Sequence, residues 1–130
     1  MPARNQNPEQ MNNNEVEKST VFNIGELVDS GGHAMATRTI INRNTGKIVV
    51  LALDSNEVLK ERISPFDTFI HVISGSAEIR INEEHNILEP GQCIIVPAHA
   101  SNSLRVISRC KLISTVIKSG YEDYKSDSID

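Results

Sequence analysis

The most informative stretch of the sequence is Asp67-Thr-Phe-Ile-His-Val-Ile-Ser-Gly75, which Ser76-Ala-Glu-Ile-Arg-Ile-Asn82 follows directly. The second segment alternates apolar and polar side chains, which is typical of a strand with one buried face. The first segment is apolar on both faces, so we expect both of its faces to be covered. Gly75 lies where a sharp change of direction is expected, and the two segments are therefore predicted to form a hairpin.

Short apolar segments of the same kind recur along the chain, separated by turn residues. We predict further strands at 36–42, 46–53, 57–64, 86–89, 93–97, 103–107 and 110–118. At most one short helix is expected, within residues 21–28. This pattern predicts an all-β sandwich or barrel. Because several strands are apolar on both faces, a homodimer with a two-sheet interface is the simplest way to cover them.

The length of 130 residues predicts one domain, at residues 21–118. Residues 1–20 are predicted to be a disordered tail, and residues 119–130 a flexible acidic tail. The net charge is −4 and no basic block is present, so we expect no nucleic-acid partner. The longest apolar runs are strand-sized, so no membrane span is expected. Without a visible export signal, a cytoplasmic location is expected.

Three segments in order carry a resemblance to a known family: Ser64-Pro-Phe-Asp67, the strand that ends at Gly75, and Glu89-Pro-Gly-Gln-Cys-Ile-Ile-Val-Pro97. In the last segment five residues separate the glycine from the final proline, and fifteen residues separate that glycine from Gly75. In this register the chain, from about residue 21 to 117, resembles the small single-domain cupins. The resemblance implies a jelly-roll barrel, also called a double-stranded β-helix.

Typical cupins hold Fe, Mn, Ni or Zn with two histidines and a glutamate from a first motif and a histidine from a second. In this sequence the four corresponding places hold Arg62, Ser64, Thr68 and Asn102. An arginine is always protonated and has no lone pair for a metal. The resemblance therefore implies the family fold, but we expect no metal cofactor and not the metal-dependent dioxygenase or isomerase activity of the family.

These four polar side chains are instead predicted to converge inside the barrel, where Arg62 would favour a carboxylate or phosphate group. The predicted function is non-catalytic binding of a small polar or anionic ligand, or a structural or regulatory role. A simpler arrangement is also open, in which Arg62 turns to solvent and the pocket is packed shut while the serine, threonine and asparagine satisfy one another.

Two other classes of function remain open at this point. One is an enzyme: a metal-dependent cupin with ligands such as His71 and His99, joined by Glu61 or His85, or a metal-free isomerase or lyase. The position of His71 on its strand predicts that it points out of the barrel, which disfavours the metal site. The other is an interaction module acting through the acidic C-terminal tail.

The two cysteines, Cys93 and Cys110, both lie in apolar strand-like segments. We expect both to be buried structural residues, since apolar surroundings raise the pKa of a thiol and make it unreactive. A disulfide between them stays open.

Overall fold

The computed structural model describes residues 15–121, and this region is built of β-strands. The strands are β1 (Met35–Arg43), β2 (Gly46–Leu53), β3 (Val58–Ile63), β4 (Asp67–Ile81), β5 (Glu84–Leu88), β6 (Cys93–Val96) and β7 (Ser101–Ile117), preceded by a 3₁₀ turn at Ile24–Glu26. Every strand pair is antiparallel. The all-β prediction is confirmed. Most of the two predicted tails, at 1–14 and 122–130, lies outside the described residues.

The predicted hairpin at Gly75 is wrong, because β4 continues through this residue as one strand of 15 residues. Gly75 has a φ of +74°, and the pairing of β4 with β7 shifts register between Val72 and Ala77. The strand therefore bends without reversing, as strands do at bulges. β7 likewise runs unbroken for 17 residues where two shorter strands were predicted.

The bends in β4 and β7 fold the sheet into two layers. The first layer has the strand order β1-β2-β7-β4-β6 and contains the C-terminal half of β7 and the N-terminal half of β4. The second layer has the order β3-β7-β4-β5 and contains the other half of each long strand. Because β4 and β7 belong to both layers, they hold the layers face to face.

The space between the layers is filled with side chains at the end of the barrel where β4 and β7 bend. These core side chains are at most 3% exposed: Leu53, Val72, Ala77, Leu88, Val106 and Cys110. At the opposite end the inward positions are occupied by Lys47 on β2, Thr68 on β4 and Asn102 on β7. The apolar core is thus closed at one end of the barrel and gives way to polar side chains at the other.

A second apolar cluster covers the outer face of β1 and β2. The buried side chains of Val28, Ile40 and Val50 pack there together with Val16 and Leu27. The ammonium group of a lysine on β7 donates a 2.6 Å hydrogen bond to a carbonyl of the 3₁₀ turn, which holds the segment in place. The outer face of β2, which was expected to need a partner subunit, is therefore covered by the N-terminal segment of the same chain.

Candidate ligand-binding cavity

A cavity of about 300 Å³ lies between the two layers, at the end of the barrel opposite the filled core. All four side chains predicted from the sequence line it: Arg62 at the end of β3, Ser64 just after it, Thr68 near the start of β4 and Asn102 at the start of β7. This volume is at the lower end of the range for small-molecule sites. The interior is consequently not packed shut, while Arg62, as the alternative interpretation of the sequence expected, is exposed to solvent.

The walls of the cavity are mainly aliphatic. The deeper lining residues are Val49, Leu51, Ile70, Ile79, Leu104 and Leu112. Strand register places Leu51 opposite Leu112, and one inward position further along β2 the core is closed by Leu53. The floor of the cavity is therefore the leucine pair, and beyond it lies the solid core of the barrel.

Three cationic side chains, Lys47, Lys60 and Arg62, line the cavity, and no aspartate or glutamate of residues 15–121 does. None of the three forms an ion pair with a carboxylate of residues 15–121. This differs from the arginines elsewhere on the described surface, since Arg43, Arg80, Arg105 and Arg109 each contact a carboxylate within 3.6 Å. The cavity therefore concentrates positive charge that the described part of the chain does not neutralise.

Neutral polar groups complete the lining. The Nδ2 group of Asn102 donates to the carbonyl oxygens of Arg62 at 3.3 Å and Ala100 at 3.4 Å, which fixes the orientation of the amide. The hydroxyl groups of Thr68 and Ser114 also line the cavity and make no hydrogen bond to any residue in the described range. Asn102 is thus tied to the backbone, while these two hydroxyls are available to a ligand.

Hydrogen bonds around the start of β4 fix the rim of the cavity. The Asp67 carboxylate accepts a 2.8 Å bond from the backbone N–H of Ala98, and the hydroxyl oxygen of Tyr121 accepts a 2.9 Å bond from the N–H of Asp67. The ring of Tyr121 packs edge-on against Phe66, which lines the cavity, at a centroid distance of 5.7 Å. The pKa of the Asp67 carboxyl group is lowered, first by the Tyr121 hydroxyl acting as a donor to the carboxylate and then by the N–H of Ala98.

The histidines considered as alternative metal ligands do not come together. His71 lies in register with Ile113 and Cys93, on the face of β4 opposite the cavity-lining Ile70, so the prediction that it points outward is confirmed. His85 lies on β5, where its Nδ1 atom is 3.0 Å from a carboxylate oxygen of Glu78.

Glu61 accepts a hydrogen bond from the Ser101 hydroxyl and pairs with Arg80 at 3.6 Å. Within residues 15–121, no three His, Cys, Asp or Glu side chains are grouped as a metal site requires. The side chains at the family's four ligand places also do not fit a metal, because the guanidinium of Arg62 would repel it and has no lone pair to offer.

The two cysteines differ from each other in exposure. Cys110 is fully buried, and burial raises the pKa of its thiol to about 11. Cys93 is exposed, so the prediction that it is buried is wrong. Its strand is apolar on both faces, but Cys93 lies on the outer one, opposite His71. Both thiols are free.

Lys47 and Lys60 were not among the site residues predicted from the sequence. A signal for Lys47 was present, since it shares strand parity with Val49 and Leu51, the inward positions of β2. For Lys60 no such signal exists, because the pairing of β3 with β7 is irregular between Leu59 and Arg62.

Solved structures show which fold this arrangement belongs to. A conserved protein of unknown function from Streptococcus pyogenes superposes with a TM-score of 0.75 at 26% identity, over 82% of this chain and 93% of that one. A cupin superfamily protein from Desulfitobacterium hafniense superposes with a TM-score of 0.72 at 17% identity, over 80% and 94% of the two chains. The protein has the cupin fold. An RmlC-like cupin from Shewanella frigidimarina agrees, with a TM-score of 0.67 at 15% identity over 83% and 96%.

The cupin barrel is recognisable here by structure more than by sequence. No family model matches the sequence, and no curated protein does. In the described region, no helix has the length and apolar character needed to cross a membrane.

Proposed function

We propose that this cupin barrel is a non-catalytic binding protein for a small anionic ligand, held in the cavity between the two layers. The observation that carries the proposal is the placement of Lys47, Lys60 and Arg62 on one cavity, without an acidic residue among the described residues that line it. Lys60 and Arg62 are exposed and Lys47 is half-buried, and like charges gathered around one cavity repel one another, so that an anion between them is favoured. The guanidinium group also offers paired donors that match a carboxylate or phosphate.

The neutral side chains of the lining support the same proposal. Thr68 is 7% exposed, and its hydroxyl lines the cavity beside the cationic groups. The aliphatic walls exclude water from the space behind the cations, and hydrogen bonds to a charged group are stronger where water is excluded. Together these groups provide charge, directional donors and an apolar surface, as ligand pockets commonly do.

The composition of the lining favours binding over catalysis. Its described residues offer serine and threonine hydroxyls but no aspartate, glutamate or histidine, the side chains that most often act as the general base for such a hydroxyl, and no cysteine. We therefore propose that the protein holds or senses its ligand without transforming it.

The test is a titration of ¹⁵N-labelled protein with two small anions, acetate and benzoate, beside their uncharged counterparts acetamide and benzamide. We expect the anions to shift the backbone signals of Lys47, Arg62, Thr68 and Asn102 and the amides to leave them unchanged. Arg62→Met should weaken benzoate binding about 10-fold or more, since a hydrogen bond to a charged group contributes about 1.5–3 kcal/mol.

The matched control is Arg109→Met, which makes the same side-chain change on the outer surface. Arg109 pairs with Asp54 at 3.2 Å and does not line the cavity. Because an exposed ion pair contributes little to stability, this variant should fold and bind benzoate like the parent protein. Equal weakening by both arginine variants, or no shift of the four signals with either anion, would refute the proposal.

We also propose that two copies associate through the outer face of β4, β6 and β7. Phe69 and Ile95 are direct cross-strand partners on this face and are 40% and 61% exposed. Ile117, two positions along β7 from the partner of Phe69, is 54% exposed on the same face. Adjacent exposed apolar side chains of this kind commonly mark an interface, and a two-fold contact would cover them in both copies at once.

We also propose a cytoplasmic location, which the free thiol groups of the two cysteines support. Both thiols are free, and Cys93 is exposed to solvent. Exposed free thiols persist in reducing compartments and tend to be oxidised outside them.

A further inference from the structure

The polarity of the cavity changes systematically with depth. In the first layer, strand register places Lys47, Val116, Thr68 and Val96 in one cross-strand row at the mouth. The next row inward holds Val49, Ser114, Ile70 and Ile94, and the row below it is entirely aliphatic, with Leu51, Leu112 and Val72. In the first layer, the charged side chain of Lys47 thus lies in the outermost row, and the middle row contains one hydroxyl group, that of Ser114.

The second layer follows the same order. Arg62 and Asn102 face each other at the mouth, while Leu59 and Leu104 face each other one level deeper. Ile79 lies opposite Leu104 on the adjoining strand and also lines the cavity. The cationic groups of both layers therefore meet at the same end, above walls that are aliphatic on both sides.

We propose that the ligand is a single-headed amphiphile, with a carboxylate or phosphate group at Lys47 and Arg62 and an aliphatic body that reaches down to Leu51 and Leu112. This rests on the proposed function and adds the chemical class and the orientation of the ligand. A second charged group at the far end of the body is disfavoured, because it would be buried against the leucine floor without a partner. The distance from Lys47 to Leu51 along β2 is about 13 Å at ~3.3 Å per residue, which limits the length of the body.

The test is a calorimetric titration with the alkanoates acetate, butyrate, hexanoate, octanoate and dodecanoate, with octyl phosphate as the second head group and octanol as the uncharged control. Each added methylene should tighten the dissociation constant about 4-fold up to octanoate, from ~0.8 kcal/mol per buried methylene. Dodecanoate should bind no tighter than octanoate, since its chain exceeds the cavity. Octanol should bind at least 10-fold more weakly than octanoate or octyl phosphate, whichever is tighter.

A blocking variant tests the orientation. Ser114→Leu places a branched side chain in the middle row, within existing cavity space, and should abolish the gain in affinity with chain length. Thr115→Leu is the matched control, because Thr115 is the next residue on β7 and faces the opposite side, opposite Phe69. It should leave the whole alkanoate series unchanged.

The outcomes separate this inference from the proposed function. If none of the anions binds at any length, the proposed function itself fails. If acetate and octanoate bind with the same affinity, or if Ser114→Leu keeps the dependence on chain length, the cavity binds anions but the amphiphile assignment is wrong. Octanol that binds as tightly as octanoate and octyl phosphate would contradict the assignment of the head group.

Discussion

Among the glycines of the described region, Gly75 is the one at which an added Cβ atom would lie closest to other atoms. Its φ of +74° is a conformation that side-chain-bearing residues rarely adopt, and a Cβ atom there would overlap the backbone carbonyl group of Arg109. The obstacle is backbone of the neighbouring long strand, so it cannot rotate away. The absence of a side chain at this position is what lets β4 and β7 approach each other where both strands bend.

Gly75→Ala should therefore lower the free energy of unfolding by about 2–5 kcal/mol, as the sum of left-handed strain and overpacking. Gly91→Ala is the control, because Gly91 has a φ of +87° but open space where a Cβ would lie. Gly91→Ala should lower the free energy of unfolding by the left-handed strain alone, about 1–2 kcal/mol. Urea unfolding measures the stability of both variants. Equal losses of stability would show that overlap with the backbone of Arg109 does not destabilise Gly75→Ala.

At the scale of elements, the sequence predicted the short strands well and the long ones poorly. β2 was placed at its observed bounds, since its apolar run begins after a turn and stops at Asp54. β4 and β7 were divided because Ser74-Gly-Ser76 and Ser108-Arg109 look like turns. Both segments are bends within continuous strands, and what keeps the chain extended there is pairing between the two strands, which no local pattern reveals.

The candidate site was also predicted only in part from the sequence. Arg62, Ser64, Thr68 and Asn102 were predicted because the family resemblance indicates which positions face the barrel interior, and all four line the cavity, while their binding of a ligand stays a prediction. Lys47, which β2 contributes to the cavity lining, was not predicted because a lysine that directly follows a turn usually points into solvent. The size of the cavity depends on packing across both layers and could not be derived from one strand at a time.

The segment after β7 gives a pH-dependent prediction at this scale. Tyr121 connects this segment to the start of β4, because its hydroxyl oxygen accepts a hydrogen bond from the Asp67 N–H. Donation from the same hydroxyl to the Asp67 carboxylate is the largest cause of the lowered pKa of Asp67. A carboxyl group with a lowered folded-state pKa adds stability above its unfolded pKa, near 3.8, and that contribution is lost as the pH falls through the folded value.

Tyr121→Phe keeps the ring contact with Phe66 and removes the hydroxyl. We expect the parent protein to be the more stable of the two at pH 7, and the difference to shrink as the pH falls below about 4. Thermal unfolding of both proteins from pH 7 to pH 3 measures this. A difference that stays constant over the whole range would mean that the hydroxyl acts through its bond to the Asp67 N–H and not through the carboxylate.

At the scale of the whole molecule, the inner and outer surfaces of the first layer have different environments. The inner surface lines the cavity, while the outer surface is covered by the N-terminal segment over β1 and β2 and is apolar and exposed over β4 and β6. The outer apolar side chains of β2 are therefore covered by the N-terminal segment of the same chain. Only the exposed apolar side chains on the outer face of β4 and β6 require a partner to cover them.

The proposed dimer predicts a mass in solution of twice 14.4 kDa, measured by size-exclusion chromatography with light scattering. Phe69→Lys should convert the protein to the monomer, because it places a charge in the middle of the exposed apolar face. Val58→Lys is the control, since Val58 is 51% exposed on β3, outside that face. A monomeric parent protein at micromolar concentration would rule the dimer out.

The central claim, that the cationic cavity binds an anion, is tested most directly by a crystal structure of the parent protein grown with benzoate. We expect electron density for benzoate between the layers, with the carboxylate within hydrogen-bonding distance of Arg62 or Lys47 and the ring toward Leu112. Benzoate bound only outside the barrel, or a barrel whose side chains close the cavity in its presence, would contradict it.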